Sequence, residues 1–369
     1  MTNDEAYVIQ RHLFELEFPF TTSKALQFAL FRTYGIPSIS KLLVQTTQLS
    51  HKATASKVSY LLRCRYADTE VLIAEFLADA SSSERACSAI ARMNYIHSVY
   101  QKSGRISNDD MLYTLSLFAI EPVRWIGRYE WRLPTDMERC AVAVFWKSIG
   151  DAMNIDYANL PSAKKGWTDG LHWMDEVVAW SQAYEQRHMV PDEANKKTAD
   201  ETTALLLYSM PEFLKPTGRQ AVSALMDDRL RKAMMYPPPS SFIQASVDAF
   251  LTLRKLALRY LALPRPYFLR SAVVSEQSDA STGRRYRTAW VSEPWYVQPS
   301  LRNKWCMQSW LDWLADRPVP GDAGQKFKPE GFLHSEVGPV GLEGKGMKTY
   351  EEMRSTLMRG RRGGCPFAT

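Results

Sequence analysis

The stretch that decides the fold runs from Glu84 to Gly104 and reads ERACSAIARMNYIHSVYQKSG. Its apolar residues recur at the spacing of an amphipathic helix, and His97 lies on the same face as Met93. Ser83 can cap the start of this helix, and Gly104 can end it. The sequence therefore predicts an α-helix that carries a histidine in the middle of its apolar face.

The imidazole of His97 needs a partner, because an unpaired polar group in an apolar core is costly. That partner could be a backbone carbonyl, a side chain or a metal ion, and a hydrogen-bonded core histidine is the commoner case. A single axial histidine on an apolar helix face is also what a noncovalently bound haem requires. Asn94 lies one turn before His97 and points roughly the same way. The helix alone leaves these alternatives open.

The composition is that of a globular protein with a modest positive charge. The chain has 369 residues and a formal net charge of +6, and its Lys and Arg are scattered apart from a run at 359–362. No basic face interleaved with aromatic residues is evident, so nucleic acid is not an expected partner. Eleven Trp and seventeen Tyr suit a roomy apolar pocket, although core packing accounts for most such residues.

The cysteines and the hydropathy pattern limit which metal sites, which haem attachment and which cellular location are expected. The five cysteines form no CxxC pair and no CxxCH motif, so neither a cysteine-based zinc site nor a covalently attached haem is expected. Free thiols indicate a reducing compartment, which predicts a cytoplasmic protein. The N-terminus does not read as a signal peptide, and no run of eighteen apolar residues predicts a transmembrane helix. Attraction to an anionic membrane surface stays possible.

The pattern along the chain predicts an all-α protein. Helical periodicity extends over 1–263, with capping boxes at Thr2, Ser107 and Thr135. The remaining segment, 264–369, is rich in Pro, Gly and Trp and has too few apolar residues for a core of its own. We therefore expect one domain, in which a long irregular tail wraps a helical core.

One predicted helix raises the question of membrane contact. The segment from Phe242 to Leu263 is amphipathic, and Arg254, Lys255 and Arg259 could contact lipid headgroups. The alternative is that its apolar face is part of the core, and the sequence favours that alternative.

Few other residues form a recognisable catalytic pattern. The chain has no GxSxG, HExxH, P-loop or GxGxxG motif, and its six histidines form no metal-binding pair along a helix. Arg65, Asp68 and Thr69 form a polar cluster that reads either as a helix cap or as a polar patch in an apolar cavity. Arg124 could meet haem propionates or face solvent.

Four segments together carry a resemblance to a known family. They are Arg65-Tyr-Ala-Asp-Thr69, Arg92-Met-Asn-Tyr-Ile-His97, Ser107-Asn-Asp-Asp-Met-Leu-Tyr113 and Pro122-Val-Arg-Trp125. The chain resembles the fungal MpaB-type oxygenases, which share a catalytic domain with the bacterial rubber oxygenase. The likeness extends to the ending Arg362-Gly-Gly-Cys-Pro-Phe367 and covers nearly the whole chain.

The resemblance implies a globin-like helical core that holds haem b. It implies that His97 is the proximal iron ligand, since a histidine on the equivalent helix has this role in the rubber branch. An Arg-x-x-Lys-Thr segment lines the distal side there, which matches Arg65 and Thr69 but places Asp68 at the lysine position. An ionised carboxylate cannot donate a hydrogen bond as a lysine does. The membrane-spanning N-terminus common among the fungal members has no counterpart here.

These observations together predict a haem-dependent oxygenase that acts on an apolar small molecule. The resemblance implies that it uses O2 to cleave a carbon–carbon double bond of an isoprenoid-like chain in fungal secondary metabolism. Arg65, Asp68 and Thr69 would be the catalytic residues, and His97, Asn94 and Arg124 would bind the cofactor. Location in the cytoplasm, with peripheral contact with the endoplasmic reticulum membrane, follows as an expectation. The alternatives are a non-catalytic haem- or lipid-binding protein and an enzyme with a non-haem metal or none.

Overall fold

The fold is built from α-helices. The computed structural model describes residues 1–48, 55–290, 292–339, 341–361 and 363–367. Within these ranges there are fifteen α-helices, a π-helical turn at His12–Glu17 and no β-strand longer than an isolated bridge. The helices are α1 (Asn3–Arg11), α2 (Pro19–Thr33), α3 (Pro37–Gln48), α4 (Ala55–Leu77), α5 (Glu84–Lys102), α6 (Asn108–Tyr129), α7 (Asp136–Ala152), α8 (Gly170–His188), α9 (Glu193–Leu206), α10 (Lys215–Leu225), α11 (Asp228–Ala233), α12 (Ser241–Tyr260), α13 (Leu301–Lys304), α14 (Met307–Leu314) and α15 (Met347–Gly360).

The core lies between the helices of the first half of the chain. Helix α2 packs along α6, α1 packs along α7, and α4 and α7 pack against α5 and α8 respectively. Ile90, Leu112, Phe145 and Trp146 are almost completely buried in one continuous apolar cluster. The all-α class is therefore confirmed, whereas the globin-like arrangement of the helices stays a prediction.

The predicted helix starts are observed with their caps. Thr2 accepts a hydrogen bond from the amide of Glu5, and Thr135 accepts one from Glu138. Ser107 accepts one from the amide of Asp110. Such caps satisfy amides that have no partner within the helix, which is why the sequence shows them so plainly. The helix that carries His97 also begins after its predicted cap, Ser83.

Helix α4 differs from the expectation. Arg65, Asp68 and Thr69 lie in its middle, so the interpretation of these residues as a helix cap is wrong. The reason is that 55–77 contains neither Gly nor Pro, so nothing interrupts a helix that begins further upstream. The sequence pattern over 53–64 fits either a helix extension or an inserted loop; the part from Ala55 belongs to α4, and the earlier residues lie outside the described ranges.

The sequence pattern predicts one continuous helix over 218–235 and another over 301–315, and the structure divides each of them in two. Gly218 to Met235 was expected to be continuous, but α10 ends at Leu225 and Asp227 caps α11 by accepting a hydrogen bond from Leu230. A short polar side chain that can accept backbone hydrogen bonds starts a new helix readily. The predicted helix from Leu301 to Ala315 is likewise observed as α13 and α14.

The tail packs on the helical core, as expected. Trp295, Tyr296, Phe332 and Val337 are buried in the same apolar cluster as the core helices. The fully buried guanidinium of Arg92 on α5 donates hydrogen bonds to three tail carbonyls. The described part of 264–369 is therefore tied to the core at many points, while the boundary at 263/264 stays a prediction.

Candidate active site

Helices α2 to α7 together enclose an apolar pocket, which we call the His97 cavity. Its volume is about 210 Å³, and its walls include Leu43, Phe76, Met93, Trp146 and His97. A dry apolar cavity of about 150 Å³ is large enough to bind benzene, so this space can hold an apolar group of greater size. The wide spread of its lining along the chain explains why no local motif reveals it.

His97 is the histidine that lines this cavity. Its Nδ1 atom is buried and has no hydrogen-bond partner among the described residues. Burial lowers the pKa of the imidazole to about 4, because an apolar surrounding disfavours the charged form. The ring is therefore neutral at physiological pH, which is the state in which an imidazole can bind a metal ion.

Thr69 lies in the same cavity, on α4. Its hydroxyl donates a hydrogen bond of 3.0 Å to the carbonyl of Arg65 one turn earlier. The oxygen keeps lone pairs that can accept a further hydrogen bond, and the hydroxyl can rotate to donate elsewhere. The structure thus brings His97 and Thr69 to one space, as the sequence predicted.

Arg65 supports the cavity wall without lining it. Its guanidinium donates hydrogen bonds to the carbonyl of Leu43 (3.1 Å) and to the Thr46 hydroxyl (3.0 Å) on α3. Leu43 lines the His97 cavity, so Arg65 fixes the wall that α3 contributes. Burial lowers the pKa of Arg65, and the phenol oxygen of Tyr34 opposes this effect.

Asp68 faces away from the His97 cavity, toward the tail. Its carboxylate accepts a hydrogen bond of 2.6 Å from the hydroxyl of Tyr296. Burial raises its pKa from 3.8 to about 7, although the bond from Tyr296 and the charge of Lys328 oppose that rise. Adjacent residues of a helix point about 100° apart, which explains why Asp68 and Thr69 serve different surroundings. The structure therefore does not bring Asp68 to the predicted catalytic cluster.

Asn94 and Arg124 also lie outside the lining of the cavity. The Asn94 amide donates a hydrogen bond of 2.8 Å to the carbonyl of Ala152, which ties α5 to the end of α7. Arg124 pairs with Glu121 at 2.8 Å and lines a separate charged groove with Arg128. A cofactor-binding role for these two residues stays a prediction.

Three polar residues of the cavity, Arg105, Asp110 and Thr114, are not among the predicted site residues. Arg105 is exposed, lines the cavity and forms no ion pair with any described residue. Asp110 also lines it, and accepts hydrogen bonds from Ser38, Ser107 and Tyr184 at 2.7 to 2.9 Å. Asp110 reads in the sequence as a helix cap and Arg105 as a loop residue, so no local signal points to the cavity. No group of three or more His, Cys, Asp or Glu suited to a metal ion occurs among the described residues.

The surface of α12 differs from the favoured expectation. None of the residues of α12, all of which are described, is buried, so its apolar face is not part of the core. Phe250 and Leu253 are 64% and 65% exposed. Arg254 is not free to contact headgroups, because it pairs with the buried Glu130 at 2.9 Å. A hydropathy pattern shows that a helix has an apolar face but not what that face contacts, which is why the sequence misled here.

Comparison with known proteins gives clear relatives. No model of a known protein family matches the chain. An ER-bound oxygenase mpaB' of Penicillium brevicompactum is 47% identical over 367 residues, which are 100% of this chain and 85% of the relative. An ER-bound oxygenase mpaB of the same species is 42% identical over 92% of this chain and 78% of that protein. The chain belongs to the MpaB oxygenase family. An mpaB of Penicillium roqueforti (strain FM164) is 52% identical over 64% of this chain and 77% of its own length.

Membership of the MpaB family confirms the resemblance that the motifs indicated. The named relatives are oxygenases, which supports an enzymatic role for the present chain. They are also named as ER-bound. In the part of the chain that the structure describes, no helix has the length and hydropathy needed to cross a membrane.

Proposed function

We propose that this MpaB-family protein is a haem b-dependent oxygenase. It would use O2 to cleave a carbon–carbon double bond in the isoprenoid-like chain of an apolar small molecule, in fungal secondary metabolism. The observation that carries the proposal is the neutral imidazole of His97, which lines an apolar cavity and has a buried nitrogen without a hydrogen-bond partner among the described residues.

The residues present fit a haem group. An iron porphyrin needs one protein ligand from the chain, and a neutral imidazole is a suitable one. The porphyrin face is apolar, as are Phe76, Met93 and Trp146 in the wall of the cavity. The exposed guanidinium of Arg105 borders the same space and can pair with a carboxylate. Arg105 therefore replaces Arg124 as the candidate partner of a haem propionate.

Each residue of the cavity then has a distinct task. When bound, haem supplies an iron that activates O2. His97 would hold the iron from the proximal side. Thr69 would offer a hydroxyl to oxygen or substrate, and Arg65 would fix the wall behind it through α3. We assign Asp68 no step of the reaction, because its carboxylate accepts a hydrogen bond from the hydroxyl of Tyr296 instead.

Haem binding is tested by substitution of His97, the proposed iron ligand. The protein is produced with adequate haem, and haem content is measured by visible absorption and acid–organic extraction. His97→Ala should lose most of the bound haem while retaining its helical circular dichroism. The matched control is His188→Ala, at the exposed end of α8, which should bind haem as the parent does. Full haem retention in His97→Ala, or a colourless iron-free protein that is active, would overturn the proposal.

We also propose that the protein contacts the endoplasmic reticulum membrane peripherally through α12. Phe242, Phe250, Leu253 and Tyr260 recur at helical spacing, and each is more than 60% exposed. Such a stripe can enter the boundary between headgroups and acyl chains. Arg259 is exposed on the same helix and can contact anionic headgroups. The names of the relatives as ER-bound support this proposal.

A further inference from the structure

A second cavity lies beside the His97 cavity, and we call it the outer cavity. Its volume is about 220 Å³, and it is formed by α2, α4, the end of α1, Phe118 in the middle of α6 and the tail segment around Val273. Phe14, Leu26, Leu77 and Val273 give it an apolar lining. It contains neither His97 nor Thr69, so it is distinct from the site described above.

The two cavities meet at a wall of side chains. Leu30, Ile73 and Phe118 line both, so one side of each faces the outer cavity and another faces the His97 cavity. Phe118 is stacked on Trp146 with ring centroids 5.2 Å apart, which fixes its position from the inner side. Ile73 follows Thr69 by about one turn of α4. The wall is therefore adjacent to the polar residue that the proposed chemistry uses.

Each charged residue that lines the outer cavity forms an ion pair, either with another lining residue or with a neighbour outside the lining. Five charged residues line it, and each forms an ion pair of 3.0 Å or less. The pairs are Arg11 with Glu15 and Glu276, Arg85 with Glu75, and Arg287 with Glu70. An anionic ligand would have to break one of these pairs before it gained a partner, and removing one member of a close pair is unfavourable. The cavity therefore suits a neutral ligand.

We infer that the outer cavity binds the apolar chain of a neutral substrate, whose reacting part enters the His97 cavity past Leu30, Ile73 and Phe118. This inference rests on the proposed function, in which the cofactor lies in the His97 cavity, so that a long substrate chain needs an adjoining space. The outer cavity is the adjoining apolar space on the α4 side. The chain would lie along Leu26 and Leu77, and its uncharged polar end would lie among the paired residues.

The test measures binding rather than turnover, with farnesol as the neutral probe and farnesoic acid as its anionic counterpart. Equilibrium dialysis is performed on the haem-loaded full chain. Leu26→Trp and Ser23→Trp each place an indole in the outer cavity without altering a residue of the His97 cavity. Leu133→Trp is the matched control, since Leu133 is 70% exposed and lines neither cavity. Circular dichroism melting identifies any variant that does not fold.

We expect both cavity-filling variants to bind farnesol at least tenfold more weakly than the parent, and Leu133→Trp to bind it equally well. Farnesoic acid should bind the parent at least tenfold more weakly than farnesol. Unchanged farnesol affinity in both folded variants would overturn the assignment of the outer cavity, and equal affinity for the acid would overturn the preference for a neutral ligand. Haem content of the same samples is read separately. A haem-free parent whose farnesol binding is still blocked at Leu26 would refute the proposed cofactor and support this cavity.

Discussion

The chemical role of Thr69 can be tested by comparison with a second threonine that lines the same cavity. Thr114 on α6 lines the same space and donates a similar hydrogen bond of 2.8 Å to the carbonyl one turn earlier. Thr69→Val should retain fold and haem but lower turnover per haem about tenfold, the loss of roughly one hydrogen bond. Thr114→Val should leave turnover close to that of the parent. Equal loss in both variants would indicate a general effect of cavity polarity.

Asp68 should make the stability of the protein fall as pH rises. Burial raises its pKa from 3.8 to about 7, so between these values the folded protein holds a proton that the unfolded chain has released. The free energy of unfolding therefore decreases from about pH 4 to about pH 7 through this group. Asp68→Asn cannot ionise, so its stability relative to the parent should be greater at pH 8 than at pH 5. Urea unfolding at the two pH values measures the difference.

A substitution of Tyr296 gives a second test of the prediction about the Asp68 pKa. Its hydroxyl donates to the Asp68 carboxylate and opposes the rise of the Asp68 pKa. Tyr296→Phe should therefore raise that pKa further and extend the decline of stability to higher pH. A parent and an Asp68→Asn variant with parallel pH profiles would show that Asp68 is not the group responsible.

At the residue scale, the sequence could place side chains on helix faces but could not say what those faces meet. His97 was predicted on a buried face by its periodicity, and the structure confirms that position. The orientation of Asp68 toward Tyr296 depends on a contact between residues 228 positions apart. No local pattern encodes such a contact, because it follows from how the tail packs on α4.

Arg65 acts at the scale of helices by joining α4 to α3. Arg65→Ala removes hydrogen bonds from a charged donor to the Leu43 carbonyl and the Thr46 hydroxyl, and should lower the free energy of unfolding by roughly 2 kcal/mol. The measurement is chemical unfolding followed by circular dichroism. Lys41→Ala on α3, which removes the ion pair of an exposed lysine with Asp192 at the start of α9, should change stability by less than about 1 kcal/mol. An Arg65→Ala variant with unchanged stability and reduced turnover would instead assign Arg65 a direct part in the chemistry.

Helix α12 gives a prediction about membrane binding. Phe250→Glu combined with Leu253→Glu places charge in its exposed apolar stripe and should abolish co-sedimentation with vesicles of phosphatidylcholine and phosphatidylserine. The control is Leu133→Glu combined with Met137→Glu, which alters two other exposed apolar residues, 70% and 58% exposed. Vesicle binding that survives the α12 changes would contradict the proposed contact.

At the scale of helices, the starts were predictable because the signals that fix them are local. Caps such as those at Thr2 and Thr135 involve residues three apart, so the sequence displays them directly. The break before α11 is also local, but Asp227 can lie within a helix as well as cap one. No local sequence pattern indicates the exposure of α12, because it depends on whether another element packs over Phe250 and Leu253.

For the whole molecule, the decisive feature is the connection between the helical core and the tail. Tail residues such as Trp295 and Phe332 share one apolar cluster with the core helices. The tail also supplies Val273 to the outer cavity and Tyr296 to Asp68. Composition predicted that the tail would pack on the core, because it has too few apolar residues to fold alone. Which core side chains it would cover depends on contacts that span the chain.

Arg92 tests whether the core and the tail unfold together. Its guanidinium is fully buried and donates to the carbonyls of Val337, Leu342 and Lys345 at 2.7 to 3.0 Å. Arg92→Met keeps much of the side-chain volume but leaves these carbonyls without that donor, and should lower the free energy of unfolding by roughly 3 kcal/mol. Exposed Arg359→Met is the control and should have little effect.

The form of the unfolding transition distinguishes one cooperative unit from two. If core and tail form one unit, Arg92→Met shifts a single transition, and the circular dichroism of the helices and the protease sensitivity of the tail change at the same urea concentration. A separable tail would become protease-sensitive while the helices unfold at the parental concentration. We expect the first result, because Arg92 and the Tyr296–Asp68 hydrogen bond connect the tail to α5 and α4, the helices that carry His97 and Thr69. Loosening the tail should therefore also disturb the His97 cavity and reduce haem retention in Arg92→Met.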